Sequence, residues 1–256
     1  MKDKEIATFS RLLSIMDELR EKCPWDKKQT LESLSYLTIE ETYELIDAIL
    51  ENDMNSIKGE LGDLLLHIVF YAKIASEKKS FDINDVINTV CDKLIERHPH
   101  IYGDVEVSGE EEVKANWEKI KLKSGKKSVL SGVPKSLPAM VKATRIQEKV
   151  KGVGFDWENA SQVLDKVKEE LYELQSELNI NSERVEAEFG DLLFSLINYA
   201  RFIGVDPESA LQRTNKKFMG RFGFLENEVK SLNKDLLKMN LKEMDAIWDM
   251  AKKKFP

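Results

Sequence analysis

The chain of 256 residues is poor in cysteine, proline and glycine, with two, six and twelve of them. Cys23 and Cys91 form no CxxC pair. This excludes a disulfide scaffold and a zinc–thiolate site and points to a reducing, cytoplasmic setting. There is no GxxxxGK[ST] segment and no GxGxxG segment, so the usual glycine-rich phosphate loops are missing. The longest apolar stretch, Leu64 to Ala75, is interrupted by His67 and Lys73 and is too short to span a bilayer, so no membrane role is expected. The opening MKDKEIATFSRLL has acids inside it and does not read as an export signal. Positive charge is not in excess either. The 39 Lys and Arg against 46 Asp and Glu leave a net charge of −7, which disfavours nucleic acid as a partner.

What is present is 42% hydrophobic and 33% charged residues, rich in Leu, Ile, Glu and Lys. That mixture favours helices and is ample for a buried core. Leu12, Ile15, Met16 and Leu19 recur at helical spacing, then Cys23-Pro24-Trp25-Asp26 breaks the pattern. Further helices are predicted over 31–50, 55–76 and 82–96, the last opened by Asp82 as N-cap and closed by His98-Pro99-His100. After a Lys-, Ser-, Gly- and Pro-bearing stretch at 121–138, helical spacing resumes over 139–149, 160–178, 182–203, 207–230 and 241–254. No stretch alternates with a period of two, so the fold class is all-α.

An internal repeat organises the whole. Glu40-Glu41-x-x-Glu44 and Glu60-x-Gly-Asp63 recur as Glu169-Glu170-x-x-Glu173 and Glu188-x-Gly-Asp191, offset by 129 and 128 residues. Gly62-Asp63-Leu64-Leu65 recurs as Gly190-Asp191-Leu192-Leu193. Lys93-x-x-x-Arg97 parallels Lys217-x-x-x-Arg221, and Trp117-x-x-x-Lys121 parallels Trp248-x-x-x-Lys252. The order implies an N-terminal domain over 1–121, a linker over 122–138 and a C-terminal domain over 139–256.

A solitary EExxE ordinarily decorates a solvated helix face. Here the wheel places the acids differently. Glu170 lies three residues after Val167 and four before Leu174, Glu188 three after Val185 and four before Leu192, and Glu41 four from both Leu37 and Leu45. The acids therefore sit on the apolar stripe. Glu170 with Glu173, and Glu188 with Asp191, share faces, so two antiparallel helices would aim four carboxylates at one point. Bare carboxylates so placed either take up protons or hold a divalent cation. Oxygen ligands alone favour a hard ion, Mg²⁺ first and Mn²⁺ as a substitute. A di-iron site is disfavoured because no Glu-x-x-His occurs, and His67, four after Asp63, is replaced by Ser195 in the second copy.

Such a centre suggests phosphate chemistry if cations lie nearby. Lys217 and Arg221 share a helical face, as do Lys93 and Arg97, and Trp248 with Lys252 offers a ring and a charge.

These segments resemble the MazG family of nucleoside triphosphate pyrophosphohydrolases in its two-copy form. The likeness also covers Cys23-Pro24-Trp25-Asp26, Arg97-His98-Pro99-His100, Val153-Gly154-Phe155-Asp156-Trp157 and Asn215-Lys216-Lys217-Phe218. It implies helix bundles completed by homodimerisation, and Mg²⁺-dependent hydrolysis of NTPs and dNTPs to monophosphate and pyrophosphate. It implies Glu170, Glu173, Glu188 and Asp191 as metal ligands, and Lys166, Lys168, Lys217, Arg221, Trp248 and Lys252 as substrate contacts. Glu169 or Glu173 would take the proton of the water that attacks the α-phosphorus. Glu41, Glu44, Glu60, Asp63, Lys93, Arg97, Trp117 and Lys121 are the N-terminal equivalents. The resemblance gives the second copy as the competent one. Lys166 and Lys168 face Leu37 and Ile39 at the matched positions, so the first copy would hold a polyanion less well. The rival expectation is a non-catalytic helical module that binds nucleotides or a protein. A narrower enzyme, acting on dUTP or a modified dNTP, is a third.

Overall fold

A computed structural model describes residues 2–109, 112, 113, 116, 117, 120, 128–180 and 183–255. Among the described residues there is no strand. By packing, the chain divides into two compact units, Met1–Ser108 and Gly109–Pro256.

The first unit begins with α1 (Lys2–Lys22). Helix α2 (Leu31–Glu51) starts at Thr30, whose hydroxyl accepts from the Ser33 amide while the Ser33 hydroxyl accepts from the Thr30 amide. That reciprocal cap satisfies two amides with no helical partner. Asn52, at φ 57°, ends α2 in the left-handed region, and Asp53 caps α3 (Met54–Glu77) immediately after. So short a connection forces α2 and α3 into an antiparallel hairpin. Helix α4 (Ile83–Arg97) opens on a box between Asp82 and Asp85, and the single turn α5 (Pro99–Tyr102) follows His98. Met16, Leu34, Val69, Phe70 and Ile74 form the buried core, with Leu12, Leu37 and Leu66 packed on it. Each large apolar side chain so removed from water contributes about 1.5–3 kcal/mol. Arg20 pins the Trp25-Asp26 turn: its guanidinium donates to both Glu77 carboxylate oxygens and to the Asp26 and Gln29 carbonyls.

The second unit repeats the plan. Helix α6 (Ala139–Lys151) packs on α8 (Val185–Phe202), and α8 forms a hairpin with α7 (Ala160–Ile180). The Gly154–Trp157 turn uses a positive φ at Gly154 (87°) and is held by a two-pronged Arg201–Asp156 pair. Asp206 caps α9 (Pro207–Ser231), and Asn240 and Glu243 cap α10 (Leu241–Lys254) reciprocally. Helices α9 and α10 close over Leu225, Val229 and Ile247.

The helices expected over 31–50, 55–76, 82–96, 139–149, 160–178, 207–230 and 241–254 agree to within two residues at each end, the one expected over 182–203 runs from Val185 to Phe202, and α5 has no counterpart in the sequence expectation. The packing division falls at 108/109, ahead of the expected end of the first domain at 121. The first core is built entirely from α1 to α4 and needs nothing beyond them. Lys121 and the first part of the expected linker, 122–127, lie outside the described residues; within its described part, Val129–Gly132 forms a 3₁₀ turn.

Candidate metal and nucleotide site

The α7–α8 hairpin sets the centre of the second copy. Glu170 lies on the face that also carries buried Val163 and Leu174, and is itself only 6% exposed. Glu188, 3% exposed, sits in the first turn of α8, where amides and the helix dipole favour negative charge. One carboxylate oxygen each from Glu170, Glu188 and Asp191 lie within 4.8 Å of one another. Oxygen–metal distances of roughly 2.0–2.6 Å would set ligands on opposite sides of one hard ion at about that separation. The three donors thus fit a divalent cation such as Mg²⁺ or Mn²⁺.

Two cations already compensate this cluster. Lys166 Nζ lies 2.7 Å from Glu170 and 2.8 Å from Glu169, and these bonds raise the pKa of its ammonium. Arg184 Nη2 lies 2.6 Å from Glu188, while its Nη1 reaches Glu177 at 3.5 Å. Sequence reasoning passed over Arg184. Its signal is the i,i+4 spacing to Glu188 at the start of α8.

The α2–α3 hairpin builds the corresponding cluster from Glu41, Glu60 and Asp63, again within 4.8 Å. Glu41 and Glu60 are half-buried and Asp63 is exposed. Among the described residues no lysine or arginine pairs with these three. The position matching Lys166 is Leu37, which packs against the core. The position matching Arg184 is Ser56, whose hydroxyl serves the Asp53 cap at 2.8 Å. Burial raises the pKa of Glu41, and Asp63, Glu44, Glu60 and Glu40 raise it further.

Other expected residues are distributed around these centres. Glu173 and Glu44 are exposed and stand outside the triads. Glu169 is exposed and paired with Lys166; Lys168 is exposed and paired with Asp165 at 2.9 Å. On α9, Lys217 is exposed and Arg221 half-buried, its Nε donating to the Phe255 carbonyl at 2.9 Å. Trp248 packs on the Leu225–Val229–Ile247 core, its ring 5.0 Å from that of Phe218. Lys252 pairs with Asp249 at 2.9 Å. In the first copy Lys93 is exposed, Arg97 half-buried and Trp117 exposed. His98 Nδ1 binds the Leu94 carbonyl at 2.6 Å, a helix-ending contact. His67 is buried, with Nδ1 3.1 Å from the Thr38 hydroxyl, and joins neither triad. Burial lowers its pKa.

Two helical hairpins, each with three converging carboxylates, define an all-α tandem protein with paired oxygen-ligand centres. The chain belongs to the MazG family: residues 29–102 and 158–222 both match the MazG nucleotide pyrophosphohydrolase domain. It is 41% identical over 255 residues to a nucleoside triphosphate pyrophosphohydrolase of Escherichia coli K12, covering 96% of this chain and 97% of the relative. It is 45% identical over 249 residues to the nucleoside triphosphate pyrophosphohydrolase/pyrophosphatase MazG of Thermotoga maritima, with 95% of each covered. YabN of Bacillus subtilis matches at 45% over 251 residues, which are 95% of this chain and 51% of YabN.

Proposed function

We propose that the second copy hydrolyses nucleoside and deoxynucleoside triphosphates at the α–β phosphoanhydride, giving monophosphate and pyrophosphate. The observation that carries this reading is the convergence of Glu170, Glu188 and Asp191 with Lys166 and Arg184 already on the carboxylates. The family match and the names of the two near-full-length relatives support it.

Glu170, Glu188 and Asp191 would hold Mg²⁺, with Glu173 one turn on from Glu170 as a further ligand. Bound there, the ion supplies positive charge for phosphate oxygens and lowers the pKa of water. Lys166 and Arg184, which hold Glu170 and Glu188, would meet the triphosphate if a divalent ion took over those carboxylates. Glu169 and Glu173 stand outside the triad, and one of them accepts the proton of the attacking water. Lys217 and Arg221 stabilise charge on the departing pyrophosphate. Trp248 and Lys252 receive the nucleoside end, and Lys168 adds to the positive field. The N-terminal set of Glu41, Glu44, Glu60, Asp63, Lys93, Arg97, Trp117 and Lys121 serves a structural or regulatory role.

The protein acts as a cytoplasmic homodimer. Tyr36, Ile39, Tyr43, Leu61, Leu65 and Ile68 on α2 and α3 are exposed, as are Leu171, Tyr172, Phe189, Leu193 and Leu196 on α7 and α8. Apolar faces of that extent are normally covered by a partner. Among the described residues no helix is long and apolar enough to cross a membrane.

The test is product analysis. Purified protein with Mg²⁺ and each of the eight standard nucleotides should release the monophosphate and pyrophosphate, and Glu170→Ala should not. Nucleotide-dependent thermal stabilisation without turnover would instead establish the non-catalytic module. Turnover of none of the eight but of dUTP, added as a ninth substrate, would establish the narrower enzyme.

A further inference from the structure

The geometry points to Phe255 as a positioning residue for Arg221, an inference that rests on the proposed role of Arg221 at the leaving pyrophosphate. Phe255 follows α10 and lies outside both segments that match the family domain. It touches α9 in two ways. Its backbone carbonyl accepts the Arg221 Nε–H at 2.9 Å. Its ring lies over Gly220, the residue before Arg221, so closely that a Cβ there would sit 3.4 Å from two ring carbons. A Cβ at 220 would just come into contact with the ring, so the ring packs flush on the α9 backbone there and in turn fixes where the carbonyl stands. Phe255 is itself tethered, its amide donating to the Ala251 carbonyl at 2.9 Å.

The chemical consequence is specific. A guanidinium has five N–H donors in one plane. With Nε committed to Phe255, the side-on Nε/Nη fork is spent and the end-on Nη1/Nη2 fork remains, in a plane set by the carbonyl. A phosphoryl group met end-on finds a preoriented pair of donors, so ordering the long side chain costs less when charge develops. The contact also couples α10, which carries Trp248 and Lys252, to the α9 face that carries Lys217 and Arg221. This hydrogen bond and ring add to the Phe218–Trp248 contact and the shared core in joining the nucleoside and phosphate contacts proposed above.

The experiment is a double-mutant cycle on the full chain with Mg²⁺ and whichever standard nucleotide turns over fastest. Arg221→Lys keeps the charge and loses both the fork and the Nε donor; kcat should fall about 30-fold. Phe255→Ala should lower kcat about 5- to 10-fold with KM changed less than 2-fold, and Phe255→Leu should restore most of it. In the Arg221→Lys background, Phe255→Ala should have no further effect on kcat. Equal losses from Phe255→Ala in both backgrounds would overturn the positioning role and leave the part played by Arg221 intact. If Arg221→Lys has wild-type kcat, the reading of Arg221 itself fails. Should Phe255→Ala not fold, Gly220→Val, which pushes the ring from α9, takes its place in the same cycle with the same two outcomes.

Discussion

The two copies place the same three carboxylates at the same spacing, yet they are electrically different. In the second copy Glu170, Glu188 and Asp191 share their site with Lys166 and Arg184, so three negative charges face two positive ones. In the first copy no lysine or arginine among the described residues pairs with Glu41, Glu60 or Asp63. Lys166 and Arg184, shared with Glu169 and Glu177, offset part of the charge on the second triad, so a divalent ion would leave that site less negative than the first. A triphosphate should therefore be repelled less by the second site than by the first. On the proposed reading the acids would hold the metal, and the cations at 166 and 184 would help a polyanion follow it. The cost falls on metal affinity, because Lys166 and Arg184 compete with the ion for their carboxylates. The first copy should therefore bind Mg²⁺ better without nucleotide, and the second should bind it together with nucleotide.

The largest expected effect breaks the comparison outright. Glu170→Ala should cost at least about 10³-fold in pyrophosphate release, since it removes a metal donor, whereas Glu41→Ala should change it less than about 2-fold. Comparable losses would mean that both copies turn over substrate; the reverse order would move the active centre to the first copy. Next comes Lys166→Leu, which gives the second copy the first copy's residue. Turnover should fall about 10- to 100-fold. Retention of full turnover would sink the idea that this cation distinguishes the copies. Arg184→Ser imports the other first-copy residue. Arg184 is largely exposed and reaches out from solvent, so a loss of about 3- to 10-fold, carried mostly by KM, is expected.

The fold and the acid placement were legible in the sequence because helix periodicity and an internal repeat report backbone geometry directly. Asp82 as an N-cap and Glu170 on an apolar stripe both follow from local spacing alone. The ion partners were less legible. Lys166 and Lys168 look equivalent in sequence, yet 166 turns inward to Glu170 while 168 pairs outward with Asp165. Two residues on a helix are about 200° apart, so only one of them can face α8. The likeness of Lys168 to Ile39 as a contrast between copies is correspondingly weak, because both positions are exposed. The Phe255 carbonyl on Arg221 could not have been found by pattern at all, since a backbone acceptor carries no sequence signature.

The smallest effect tests the electrostatic contrast without turnover. Burial and four neighbouring acids hold the Glu41 pKa above its ordinary value of 4.5. The folded chain thus binds that proton more tightly than the unfolded chain does. The penalty of ionising Glu41 is absent below pH 4.5, grows as pH rises toward the raised pKa, and is complete above it. Glu41→Gln removes the penalty. In EDTA at pH 7 it should raise the melting temperature of the first unit by about 1–2 °C, a modest gain because the group is half-exposed. The gain should vanish at pH 4, and saturating Mg²⁺ should erase or reverse it by stabilising the wild type instead. Glu170→Gln should do the opposite in EDTA, lowering stability, because it leaves Lys166 with one carboxylate in place of two. If both glutamine variants shift melting in the same direction, the two triads do not differ in charge compensation.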